Sequence, residues 1–127
     1  MIKMDTTILL GAIGLAYGGM LLLYYRLNRK EKQNKVSSSM LKGITSMRRG
    51  NLDKALIYFD KAYNYSTQTD NREEMADALY NMGNIYKEKN EIGNAVKYLS
   101  GAHGIYEELQ DNEGREKVIN AMHSIRN

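Results

Sequence analysis

Gly43, Ala55, Tyr58 and Ala62 recur forty residues later as Gly83, Ala95, Tyr98 and Ala102, with Leu52 answered by Ile92 and Phe59 by Leu99. A period of this size describes helical hairpins. Each is too small to bury its apolar face alone, so each must stack on the next. The chain has no proline, and glycine and Asn/Asp clusters are its only helix breakers, so an all-α fold is expected. Stacked hairpins make a binding surface more readily than an enclosed active site.

A second feature precedes the repeats. Residues 6–25 carry no charge and lie between Asp5 and Arg26. As a helix they would cover ~30 Å, the hydrocarbon thickness of a bilayer. Tyr24 and Tyr25 stand where an interfacial aromatic belt would be. A cleaved signal peptide and a buried soluble helix are the competing readings. The run is long for a signal peptide and ends in Leu21-Leu22-Leu23-Tyr24-Tyr25-Arg26, which lacks a small-residue cleavage site. We therefore expect a single transmembrane anchor over residues 1–26. Gly11, Gly14 and Gly18 share one face of it, and Gly14 and Gly18 form a GxxxG. That face suits packing against another membrane helix, although glycine is common in such helices with or without a partner.

The net charge of +3 is unevenly spread. Nine bases and two acids lie up to Gly50, whereas nine bases and thirteen acids follow. Arg26, Arg29, Lys30, Lys32 and Lys35 cluster after the apolar run, in a basic juxtamembrane linker over residues 27–35 that would meet anionic lipid headgroups. The linker either continues the anchor helix or forms a hinge before Ser37-Ser38-Ser39. By the positive-inside rule the amino end is sent across and the repeats stay in the cytoplasm. The basic cluster is too short, and lacks the surrounding fold, to indicate nucleic acid.

From Val36 on, apolar residues recur at helical spacing. Val36, Met40, Ile44 and Met47 form one stripe, followed by a turn at Gly50-Asn51 and a helix over residues 52–65. Residues 66–71 read as a polar connection, with Asp70 or Asn71 as a cap. Two further helices occupy residues 73–89 and 92–109. A last helix carries Val118, Ile119, Met122 and Ile125, and shifting by forty aligns Ile119 with Leu79, Met122 with Met82 and Ile125 with Ile85. The expected domain thus spans residues 36–127, with hairpins at about 36–69 and 73–110 and a capping helix at 114–127.

Nothing in the chain points to catalysis. There is no cysteine, so disulfide, thiolate and cysteine–zinc chemistry are excluded. His103 and His123, the two histidines, lie on different helices without clustered ligands, and no Walker loop or nucleophile elbow is present. Glu73-Glu74 and Glu107-Glu108 read as solvated faces, and Gly101 and Gly104 as points of close packing. No cofactor, metal or small-molecule substrate is expected.

Ala78-Leu79-Tyr80-Asn81-Met82-Gly83-Asn84-Ile85-Tyr86 resembles the first-helix pattern of the tetratricopeptide repeat, and Ala95, Leu99 and Ala102 fit its second-helix signature. In the first unit Gly43, Gly50, Ala55, Phe59 and Ala62 fit, while Lys42 and Ser46 replace large apolar residues. The period exceeds the usual ~34 residues and is similar to that of the kinesin-light-chain-like branch; the family's terminal proline is absent. The resemblance implies an α-solenoid whose first helices form a concave groove for peptides or partner helices. Met40, Ile44 and Met47 would either line that groove, or face the core or cover the linker helix; Tyr80, Asn84 and Lys87 would join the groove, with Asn120 from the last helix. Asn84 matches a residue with which some members hold a peptide carboxyl terminus, but Ile44 replaces its partner asparagine. An apolar segment is the better occupant, since methionine surfaces adapt to their partner. The expected role is a membrane-anchored adaptor. The alternative is an accessory subunit held in a larger membrane complex by the Gly11/Gly14/Gly18 face.

Overall fold

The computed structural model describes residues 5–126, and for Arg126 the backbone only. Lys3 and the rest of residues 1–4 of the expected anchor, and Asn127 of the expected cap, lie outside the described residues. Five helices follow one another: α1 (Thr6–Arg48), α2 (Leu52–Gln68), α3 (Arg72–Glu88), α4 (Ile92–Glu108) and α5 (Asn112–Arg126). There is no strand among the described residues. The chain divides into two compact units, Met1–Glu31 and Lys32–Asn127, and α1 contributes to both.

In the first unit every residue from Asp5 to Leu27 is exposed. This part of α1 has a mean hydropathy of 1.8 and none of it is buried, so it is a candidate membrane span. Of the two expected forms of the linker the helical one is found: residues 27–35 and Ser37-Ser38-Ser39 all lie in α1. No proline or glycine interrupts them, and Leu27, Glu31, Lys32 and Gln33 all favour helix.

The second unit is organised by its turns. Gly50, Asp70, Asn90 and Gln110 have positive φ values of 77°, 51°, 59° and 56° and stand twenty residues apart. At each, the next residue's N–H reaches back to the fifth residue before it: Asn51 to Ser46, Asn71 to Ser66, Glu91 to Tyr86 and Asp111 to Tyr106, at 2.8–2.9 Å. This double closure of a helix end satisfies carbonyls that would otherwise lack partners. The same residue then opens the next helix. Asn51, Asn71 and Asp111 accept the N–H of Lys54, Glu74 and Gly114, respectively, whereas Glu91 makes no such cap bond. Three-residue turns of this kind fix helix length, so α2 and α4, like α3 and α5, begin forty residues apart.

Several boundaries differ from the sequence reading. Residues 66–68 belong to α2, and α5 begins at Asn112 rather than 114. Ser66 is fully buried, not part of a polar connection. Its hydroxyl donates to the Ala62 carbonyl at 2.6 Å, which satisfies the group and admits a serine to the core.

Helices α2 and α3, α3 and α4, and α4 and α5 pack in succession, and α3 also touches α5. Ala55, Phe59, Met82 and Ile85 form one core cluster; Ala76, Leu99, Ala102, Tyr106, Val118 and Ala121 form another, and Leu79 packs against both. Glycine permits three close contacts. A Cβ at Gly43 would lie 2.7 Å from the Phe59 ring, one at Gly83 2.7 Å from Leu99 Cγ, and one at Gly114 2.4 Å from the Tyr106 ring. Gly101 is less tight, 3.4 Å from Leu79, and a Cβ at Gly104 would meet nothing within 4 Å. The close packing expected at Gly104 is therefore not found.

Candidate functional site

The first helices of the hairpins, the second-unit part of α1 together with α3 and α5, carry all seven expected groove residues. In α1 the fully buried line is Val36, Ser39, Gly43 and Ser46. These residues are spaced three or four apart and so share one face, and all but Val36 are small. Met40, Ile44 and Met47 lie beside that line. They are half-buried and pack against the cluster of Ala55, Phe59, Met82 and Ile85. Much of their apolar surface therefore belongs to the fold, and a flank of each remains.

On α3, Tyr80, Asn84 and Lys87 share a face at helical spacing and are half-buried. Tyr80 packs against the second core cluster. Lys87 Nζ donates to Ser124 Oγ at 2.9 Å, which ties α3 to α5. Asn120 is exposed on α5. The structure thus brings Tyr80 and Lys87 against α5 and its neighbours, while Met40, Ile44 and Met47 gather at the first cluster.

Beside Tyr80 is a polar cluster that the sequence reading passed over. The Tyr106 hydroxyl donates to Asp77 Oδ1. Lys117 Nζ lies 3.3 Å from the same oxygen, 4.8 Å from the centre of the Tyr80 ring and 5.1 Å from that of Tyr106. Burial, and then the bond to Asp77, raise the Tyr106 hydroxyl above its ordinary range, so it stays a neutral donor at physiological pH. The forty-residue echo does not preserve the cluster: Ser37, Asp77 and Lys117 share one repeat position with three different chemistries, and Tyr106 falls at the position of Ser66. Glu74, one turn before Asp77, has its carboxyl raised by desolvation and then by Asp77 and Glu73.

Two clefts are lined by none of the seven expected residues. One, of about 350 Å³, lies among α2, α3 and α4, and Asp60, Tyr63, Leu79, Met82, Lys97 and Tyr98 are among the residues that line it. The other, of about 260 Å³, lies between α1 and α2.

The remaining candidates are scattered. A Cβ at Gly11, Gly14 or Gly18 would meet nothing within 4 Å. Arg26, Arg29 and Lys30 are exposed in the first unit. Lys32 is half-buried in the second, and Lys35 Nζ lies 5.8 Å from the centre of the Tyr65 ring. Gln33 in the same stretch accepts from Asn71 Nδ2 at 3.2 Å, so this part of the linker packs on the repeat domain. His103 Nδ1 lies 3.8 Å from Glu107 on its own helix, and His123 is exposed. Among the described residues no group of three His, Asp or Glu side chains could hold a metal.

A family model described as tetratricopeptide repeat matches residues 36–108, more than half of the chain. The match opens at Val36, the first fully buried residue, and closes with the end of α4. No curated protein and no solved structure matches the chain.

Proposed function

Because the chain belongs to the tetratricopeptide repeat family, whose fold serves as a protein-interaction scaffold, we propose that it is a single-pass membrane-anchored adaptor. Its repeat domain captures a protein segment and recruits or assembles a complex at the membrane surface.

One observation carries this reading: an apolar, charge-free helical segment, exposed at every described residue up to Leu27, precedes a folded repeat domain. Ile8, Leu9, Leu10, Ile13, Leu15, Leu21, Leu22 and Leu23 are 46–81% exposed. Moving each such side chain out of water is worth roughly 1.5–3 kcal/mol. Eight together supply a strong drive toward lipid. Backbone groups satisfied within the helix remove the main cost of entering it. Arg26, Arg29, Lys30, Lys32 and Lys35 then favour placing the carboxyl side in the cytoplasm. Confinement to the membrane raises the effective concentration of the repeats toward membrane partners.

The capturing surface is the face of the first helices. The free flanks of Met40, Ile44 and Met47 offer adaptable apolar contact, and Tyr80, Asn84, Lys87 and Asn120 offer polar contact alongside. An apolar helix or extended segment suits this mixture.

The test is purification of the tagged full-length chain in gentle detergent, beside a chain lacking residues 1–26, with mass spectrometry of what accompanies each. Partners that follow both forms support the adaptor. Partners lost with residues 1–26 contradict it and favour an accessory subunit held through the Gly11/Gly14/Gly18 face.

A further inference from the structure

One of the differences between the first hairpin and the second leaves an open, positively charged cleft. In the second hairpin Tyr86 stacks on Tyr98, with ring centres 5.1 Å apart and an interplanar angle of 21°. Forty residues earlier Tyr58 repeats Tyr98, but Ser46 stands where Tyr86 would be. Tyr58 therefore has no aromatic partner across from it. The space is the cleft of about 260 Å³ between α1 and α2, lined by Leu41, Lys42, Ser46, Arg49, Lys54 and Tyr58, with Thr45.

The charges around it are one-sided. No acid lines the cleft. None of the ion pairs among the described residues uses Lys42, Arg49 or Lys54. The repeat explains this too. Lys89, the counterpart of Arg49, pairs with Asp53 of the preceding helix α2, and in the second unit no helix precedes the last turns of α1 to supply such an acid. Lys42 and Lys61 both lie over the Tyr58 ring, at 5.9 and 5.7 Å from its centre, and add positive potential at the rim. Leu41 is 66% exposed at the edge.

From this arrangement we infer that the α1–α2 cleft is a second docking surface, which takes an acidic protein segment with one apolar or aromatic side chain seated against Tyr58 and Leu41. Charge complementarity selects the acidic flanks, and the Tyr58 ring, overlain by the flexible Lys42 and Lys61 but by no aromatic side chain, selects the seated side chain. The site is poorly made for a bare phosphate. The backbone N–H groups at the turn are already engaged: Gly50 to Met47, Asn51 to Ser46, and Lys54 to the Asn51 side chain. The cations are long, exposed side chains around an apolar floor. The inference does not depend on the groove residues or on membrane insertion.

The experiment is fluorescence anisotropy of the full chain in zwitterionic detergent with a labelled synthetic peptide of Asp and Glu around one central Phe. A peptide with Lys in place of the acids is the control. The acidic peptide is expected to bind in a salt-sensitive manner and the basic one not to bind. Lys42→Gln/Arg49→Gln/Lys54→Gln together should weaken binding by about tenfold, and Leu41→Ser by a smaller factor. All four positions are exposed. Far-UV circular dichroism checks that the variants fold, and the single changes Arg49→Gln and Lys54→Gln keep the test open if the triple variant does not. Lys97→Gln, which removes an exposed cation on α4 outside this cleft, should leave binding unchanged. Equal binding by the charge variants, no binding of the acidic peptide, or loss of binding in Lys97→Gln alone would each overturn the proposal. So would binding to phosphatidylglycerol vesicles through these cations without binding to the peptide, which would make the site a lipid-headgroup contact.

Discussion

Gly83→Ala and Gly104→Ala are the same chemical change in two helix interiors, and the structure gives them opposite signs. At Gly83 the new methyl would lie 2.7 Å from Leu99 Cγ, 2.8 Å from Cδ2 and 3.2 Å from the Leu99 backbone nitrogen. The side chain could rotate away only in part, and the backbone contact requires α3 and α4 to separate. Overpacking of this kind costs about 1–3 kcal/mol, against a gain of about 1 kcal/mol from helix propensity. The net expectation is a loss of up to about 2 kcal/mol. For a domain of this size each kcal/mol lost lowers Tm by about 4–8 °C. At Gly104 the methyl meets nothing, so only the propensity gain remains, about 0.5–1 kcal/mol, and Tm rises by a few degrees. Thermal melts of the full chain in mild detergent, followed by circular dichroism, measure both. Leu99→Ala combined with Gly83→Ala should cost less than the two separately, because the truncated side chain removes the overlap. A Gly83→Ala chain that melts at or above the parent would refute the claim that close approach of α3 and α4 holds the second hairpin. A Gly104→Ala chain that melts lower would refute the claim of open space there.

Three other outcomes follow from the structure. Tyr106→Phe loses a buried hydrogen bond to Asp77 and should cost about 1 kcal/mol at neutral pH. Because the fold raises the Tyr106 hydroxyl above its ordinary value of 10.0, the unfolded chain ionises first. Stability from this group is intact below pH 10 and falls as pH rises beyond it; Tyr106→Phe should therefore show a shallower alkaline loss in melts between pH 9 and 11. Gln110→Gly relieves a left-handed backbone, φ 56°, and should stabilise the chain by about 0.5–1 kcal/mol in urea unfolding. Leu15→Arg places a charge midway along the apolar helix, at a cost of about 2.5–3.5 kcal/mol if that helix crosses a bilayer; alkaline carbonate should then extract more of the chain from membranes than of the parent.

The echo across forty residues was a sound guide to the helices, because Gly43/Phe59 and Gly83/Leu99 are paired contacts that the repeat preserves. What it obscured were places where polarity and burial part company. Ser39 and Ser66 are buried, although one reads as linker and the other as loop. In α1 the small residues lie under α2, and a stripe drawn through the large apolar ones falls one position to the side. Ser66 and Tyr106 occupy matching positions, as do Glu74 and Gly114. Tyr106 of α4 fills the space that Gly114 of α5 leaves open, whereas Ser66 and Glu74 form no such pair. The four turns were legible from their Gly, Asn and Asp residues, but their shared left-handed geometry was not, because only Gly50 among the four positive-φ positions is glycine. As for the groove, the first helices were legible, but the packing demands on Met40, Ile44 and Met47 depend on how α2 and α3 close over them.

The absence of cysteine from the sequence makes single-cysteine labelling the most direct test of the account. Ile2→Cys and Ser37→Cys lie on either side of the apolar helix. In intact cells, a membrane-impermeant maleimide should label Ile2→Cys, and should reach Ser37→Cys only after permeabilisation. Labelling of both positions from one side would mean that the helix does not cross the membrane, and the anchored-adaptor account would fail.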